Sequence, residues 1–103
     1  MSAADAGDGF DPVVHAPHRL RICAVLDTVE QAEFAVLREA TGVSESVLSK
    51  QVRVLEEAGY VTVSKGARDG RVRTWARFTP AGRAAFRAHV AALRAITVDV
   101  GSS

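Results

Sequence analysis

Very little in this sequence invites covalent chemistry. Cysteine occurs once, at Cys23, so an intramolecular disulfide is impossible and a small disulfide-built secreted scaffold is excluded. There are three histidines, His15, His18 and His89, and none sits in a nucleophile motif. No Gly-rich phosphate loop, no G-x-S-x-G turn and no H-E-x-x-H are present. The expectation is therefore no enzyme, no cofactor and no bound metal. No apolar run approaches the ~18 residues of a membrane span. The start, MSAADAGDGFDP, lacks a basic stretch followed by an apolar one, so it does not read as a secretory leader. A cytoplasmic protein without a membrane partner is the expectation.

What is present is a chain of 103 residues, 48% of them apolar, which is enough for one modest core and argues for one domain. Its net charge of +1 hides an asymmetry. The first fourteen residues hold Asp5, Asp8 and Asp11 and no cation. The stretch SKGARDGRVRTWARF holds Lys65, Arg68, Arg71, Arg73 and Arg77 against the single anion Asp69. Residues 1–13 read as a disordered acidic tail, being small and polar with glycines and a proline.

Apolar spacing predicts a first helix from about Ala16 or Pro17, carrying Leu20, Cys23 and Ala24, with Ile22, Val25 and Leu26 widening its face. TVEQAEF alternates weakly and fits a short strand or extended connector. FAVLREATG reads as a short helix stopped by Gly42. The clearest helix is 44–58. Ser44 caps it, Glu45 complements its dipole, Leu48, Val52 and Leu55, continuing to Ala58 or Gly59, form a buried stripe, and Gly59 closes it. YVTVSK and RVRTWARF are β-rich, and Asp69-Gly70 between them is a hairpin turn signal. Thr79-Pro80 opens a last helix, with Phe86, Val90, Leu93 and Ile96 as an apolar stripe over its own domain; TVDVGSS is a frayed end. The domain thus spans 14–97, with 98–103 as a tail. The fold class is mainly α with a small antiparallel β-hairpin (α+β), a helix-turn-helix followed by a basic wing.

LREATGVSESVLSKQVRVLEEAGYVTVSK and RTWARFTPAGRAAF resemble the winged-helix transcriptional regulators of the MarR and ArsR type, above all their short bacterial and archaeal members. The likeness runs from about Pro17 to Ile96. It implies a sequence-specific regulator of double-stranded DNA, in most such proteins a dimeric repressor. Helix 44–58 would enter the major groove of an operator, presenting Ser44, Ser46, Val47, Ser49, Lys50 and Arg53. The wing would put Lys65, Arg68, Arg71 and Arg73 on phosphates or the minor groove. A homodimer through the first and last helices is implied, with Ala85, Ala88, His89 and Ala92 facing the second chain. The chain reads as too short for the extra helices of longer MarR-type proteins, so the expectation is at most a small pocket, between the wing domain and the dimer helices, for a small-molecule effector.

Plainer readings stand beside these. A basic hairpin is often only a solvated face, and the fold also serves as a protein-interaction module without specific DNA binding. Trp75 stacks on an arginine or packs. Tyr60 reads as an anchor of the wing, and Cys23 as a small buried hydrophobe. His15, His18 and Cys23 are ligand types, but the clustered cysteines of ArsR-type metal sensors are missing. The last helix alternatively just closes a monomeric core.

Overall fold

The structure, a computed structural model, describes residues 9–101; the side chains of Arg68 and of residues 98–101 lie outside what is described. The polypeptide runs α1 (Pro12–His15), α2 (Pro17–Leu26), β1 (Ala32–Glu33), α3 (Phe34–Thr41), α4 (Glu45–Glu57), β2 (Val61–Arg68), β3 (Arg71–Phe78) and α5 (Pro80–Gly101). It is mainly helical with a three-stranded antiparallel sheet in the order β1-β3-β2, the winged-helix arrangement expected from the sequence.

Local chemistry sets the boundaries. Pro17 removes a helix donor and holds Ala16 extended (ψ 136°), which separates α1 from α2. Gly42 takes φ 72° and ends α3. Two residues later the Ser44 hydroxyl accepts the Val47 N–H at 3.2 Å and starts α4. At the far end of α4, Tyr60 N–H donates to Leu55 C=O and Gly59 N–H to Glu56 C=O, a Schellman closure that turns the chain into β2. Asp69 and Gly70 both have positive φ, 54° and 76°, as a two-residue hairpin turn of matching twist requires. The Thr79 hydroxyl accepts the Gly82 N–H at 3.0 Å and donates to Gly59 C=O at 2.7 Å, so one side chain caps α5 and ties it to the end of α4.

The core lies between the helices and the sheet. Ile22, Cys23 and Leu26 of α2, Leu37 of α3, and Leu48, Val52 and Leu55 of α4 meet Val61, Ala76, Phe78 and Phe86. The stripe of α4 ends at Leu55, because Ala58 and Gly59 are exposed. The short strand read in TVEQAEF is β1, pairing Ala32 with Ala76 and Glu33 with Trp75.

Three boundaries differ from the sequence expectation. Residues 9–13, expected to be disordered tail, belong to the fold: Asp11 accepts the Val13 N–H at 2.9 Å and caps α1, and Val14 is fully buried. The rest of that tail, 1–8, lies outside the described residues. The last helix does not stop near Ile96 but runs to Gly101, since neither proline nor glycine occurs between Gly82 and Gly101. Its apolar stripe also outruns the domain. Phe86 is buried, Val90 and Leu93 are half-buried, and Ile96 is 53% exposed.

Candidate nucleic-acid interface

Burial of Leu48, Val52 and Leu55 forces the opposite face of α4 outward. Ser44, Ser46, Val47, Ser49, Lys50 and Arg53 are all exposed on it or at its cap. Ser44 is partly occupied: its hydroxyl caps the helix and lies 3.2 Å from the Ser46 hydroxyl. A groove of about 520 Å³ separates α4 from the hairpin. Ser49, Lys50, Arg53 and Glu56 line one wall, and Lys65 and Thr74 the other. Three cations from two elements thus share one cleft.

The wing residues divide. Lys65 and Arg71 are exposed and make no ion pair among the described residues. Arg68 sits on β2 opposite Arg71; its side chain lies outside the described ones. Arg73, expected among the free wing cations, is turned back: its Nη1 lies 3.3 Å from Glu33 Oε1, and both side chains are half-buried. The reason is register, since Glu33 pairs with Trp75, two residues along β3 from Arg73. The contact is an ion pair without hydrogen-bond alignment, and Arg73 Nε is buried without a hydrogen-bond partner. Arg73 therefore braces the wing against β1. Trp75 packs within the hairpin. Its ring lies over Gly66, where a Cβ would come within 3.1 Å of it.

Beneath the surface, several polar contacts that sequence reasoning missed seat α4. Arg19 donates from Nη1 to Gln51 Oε1 at 2.8 Å and from Nε to the Val13 carbonyl. The Tyr60 hydroxyl donates to the Asp11 carboxylate, which pushes the tyrosine up to about 12, with burial adding to the shift. Tyr60 is an anchor, as expected, but its partner is forty-nine residues away. The one local signal was the tyrosine itself, whose hydroxyl needs a partner once half-buried. Cys23 is fully buried, and burial, reinforced by Asp11, pushes its thiol up to about 12. It is protonated at neutral pH and packs as a small hydrophobe.

The face assigned to a second chain needs correction. His89 is 0% exposed within its own chain. The Asp11 N–H donates to its Nδ1 at 3.0 Å, and His15 Nδ1 lies 3.1 Å from its Nε2. Gly9 lies against the backbone of Ala88. Residues 9–15 thus cover His89, while Ala88 stays exposed beside them and Ala85 and Ala92 are half-buried. The open apolar surface lies elsewhere, in a groove of about 600 Å³ between α2 and α5 lined by Ala24, Phe86, Val90 and Ala91 among others, and on the protruding end of α5. Asp27 holds these two helices together, accepting from Arg83 at 3.0 Å and Arg87 at 3.1 Å. Among the described residues no group of three or more metal-ligating side chains could hold an ion, and no helix is long and apolar enough to cross a membrane.

Known proteins share this architecture. The family model described as a winged helix DNA-binding domain matches residues 18–97. An uncharacterized protein of Methanocaldococcus jannaschii is 35% identical over 72 residues, 70% of this chain and 78% of that protein. A transcriptional regulator homologue from Pyrococcus horikoshii superposes with a TM-score of 0.80 at 26% identity, covering 85% of this chain and 87% of its own. A MarR family regulator from Silicibacter pomeroyi shares the fold at a TM-score of 0.61 and 23% identity, over 91% of this chain and 59% of its own. Family and fold are those of transcriptional regulators, not of enzymes. With the helix-turn-helix, the basic hairpin and these matches, the chain belongs to the winged helix DNA-binding domain family.

Proposed function

We propose that this protein is a sequence-specific, cytoplasmic transcriptional regulator that acts as a dimeric repressor on operator DNA. Helix α4 lies in the major groove, with Lys50 and Arg53 reaching base edges or phosphates and Val47 placed for a thymine methyl. Lys65, Arg71 and the neighbouring Arg68 follow the flanking phosphates or minor groove. The observation that carries the reading is the shared cleft, where Lys50 and Arg53 of α4 and Lys65 of the wing stand together with their charge open to solvent.

Dimer formation is supported by the α5 end, where Ile96 stays exposed, and by the open α2–α5 groove. A second copy covering these apolar positions uses α2 and α5 and matches a palindromic operator. Ala85 and Ala92 lie one turn either side of His89 on α5, away from that groove, and His89 does not take part while residues 10–15 hold it. The alternative, a protein-interaction module, fits a recognition face without cations, which this chain does not have.

Fluorescence anisotropy against the DNA upstream of the chain's own gene, beside a scrambled duplex of equal length, tests this. Specific regulators hold their site about 10³-fold or more tighter than random DNA. Equal binding to both duplexes, or none at low salt, would overturn the reading. Sedimentation at micromolar concentration tests the dimer, and a monomer mass with bound operator rejects that part.

A further inference from the structure

We propose that residues 10–15 form an acid-released strap: closed, it ties the last helix to the recognition helix, and protons taken up by the His15–His89 pair open it. The proposal stands without the DNA-binding reading.

The hydrogen-bond inventory carries it. The Asp11 N–H donates to His89 Nδ1 at 3.0 Å. A backbone N–H only donates, so Nδ1 carries no proton and the neutral ring holds its proton on Nε2. That nitrogen lies 3.1 Å from His15 Nδ1, so it donates there, and His15 keeps its own proton on its other nitrogen. Both rings are neutral and both tautomers are fixed by one amide. A proton added to His89 has only Nδ1 to occupy, where it opposes the Asp11 N–H. A proton added to His15 has only its Nδ1, where it opposes the His89 N–H. Either event turns a hydrogen bond into two opposed donors. The ring of His89 is fully buried, with Phe10 at 4.9 Å and His15 at 5.1 Å between centroids, so a charge there is hydrated only if the strap moves.

Asp11 joins this lock to the rest of the molecule. Its amide holds His89, and its carboxylate caps α1 and accepts from Tyr60 at the end of α4. The Val13 carbonyl accepts from Arg19, which holds Gln51 in the middle of α4. Opening the strap therefore frees α4 at Tyr60 and loosens it at Gln51.

The charged and titratable groups around the lock do not all push one way. Burial and then His15 disfavour a charged His89, whereas the Asp11 carboxylate favours it; the net holds His89 below its ordinary value. Tyr60 and Cys23, both pushed up to about 12, remain neutral in the relevant range, and Arg19 remains charged. A depressed histidine makes the closed strap fully stable above the ordinary histidine range, ~6.5, and progressively less so as pH falls below it.

The test is ¹⁵N NMR of the full chain between about pH 7.5 and about pH 5, within the histidine range. At the upper end both rings are expected as neutral tautomers with the proton on Nε2. On acidification the Asp11 amide is expected to shift and to lose about tenfold or more of its exchange protection, corrected for intrinsic rates. Tyr60 and Gln51 signals move with the same midpoint, while Leu37 and Leu48 amides keep their protection. In His89→Asn the side-chain oxygen still accepts the Asp11 N–H and binds no proton, so Asp11 protection stays flat. In His15→Ala no second ring takes up a proton beside His89 and the His89 midpoint moves up; this exposed site carries the test if the buried variant does not fold. An Asp11 amide indifferent to His89 protonation, equal loss of protection in His89→Asn, or an unmoved midpoint in His15→Ala would overturn the proposal.

Discussion

The wing and the N-terminal segment are both short and polar, and they treat their polar groups in opposite ways. On the wing, Lys65 and Arg71 are exposed with no ionic partner among the described residues. In the N-terminal segment, Asp11 uses its amide and both carboxylate oxygens within the chain, meeting His89, Val13 and Tyr60. Charge left open to water is available to an outside ligand, whereas polar groups that the fold has already paired stabilise the fold. Arg73 shows that the distinction is not one of sequence position. It lies inside the basic hairpin, yet Glu33 claims it.

Substitutions at the paired end should change stability, and substitutions at the open end should change DNA affinity. The largest effect is expected at Gly82→Ala. A Cβ there would stand 2.0 Å from the Tyr60 carbonyl oxygen, so the backbone joining α4, β2 and α5 must shift. A loss on the order of 3 kcal/mol is expected, and an unchanged urea midpoint would show that the junction is not tight.

Next comes the exposed face of α4. Lys50→Ala and Arg53→Ala, each made singly, should weaken operator binding by about 1–3 kcal/mol while the melting temperature stays put. Loss of stability instead would mean that these cations belong with the paired groups. The smallest of the three is Tyr60→Phe. It removes one hydrogen bond to a carboxylate and should lower stability by about 1 kcal/mol at neutral pH, read by chemical denaturation. A variant as stable as the parent would mean that Asp11 finds equal hydration with the strap loose.

Much of the half proposed to face DNA was legible in the sequence because its signals are local. Ser44, Gly59 and the spacing of Leu48, Val52 and Leu55 bound and orient α4 within one helix, and Asp69-Gly70 sets the hairpin by backbone conformation alone. The role of the N-terminal segment was not legible. Asp11 meets His89 across seventy-eight residues and Tyr60 across forty-nine, so a segment reading as acidic tail is a structural strap. Spacing placed His89 on a helix face but said nothing of what covers it. The same limit hid the Arg73–Glu33 pair, which needs the β1–β3 register. Phe86 to Ile96 read as one stripe although the domain ends partway along it, because periodicity reports a face and not how far its neighbours extend.

The most direct test of the central claim sets two arginines of one strand against each other. Operator affinity is measured across a salt series for the parent, Arg71→Ala and Arg73→Ala, with the fold checked by melting. Each phosphate contact contributes about 0.9 to the slope of log affinity against log salt. Arg71→Ala is expected to flatten the slope by about that amount per binding chain, while Arg73→Ala keeps the slope and lowers the melting temperature. Equal flattening by both, or a slope untouched by Arg71→Ala, would contradict the claim that only the unpaired wing charges meet DNA.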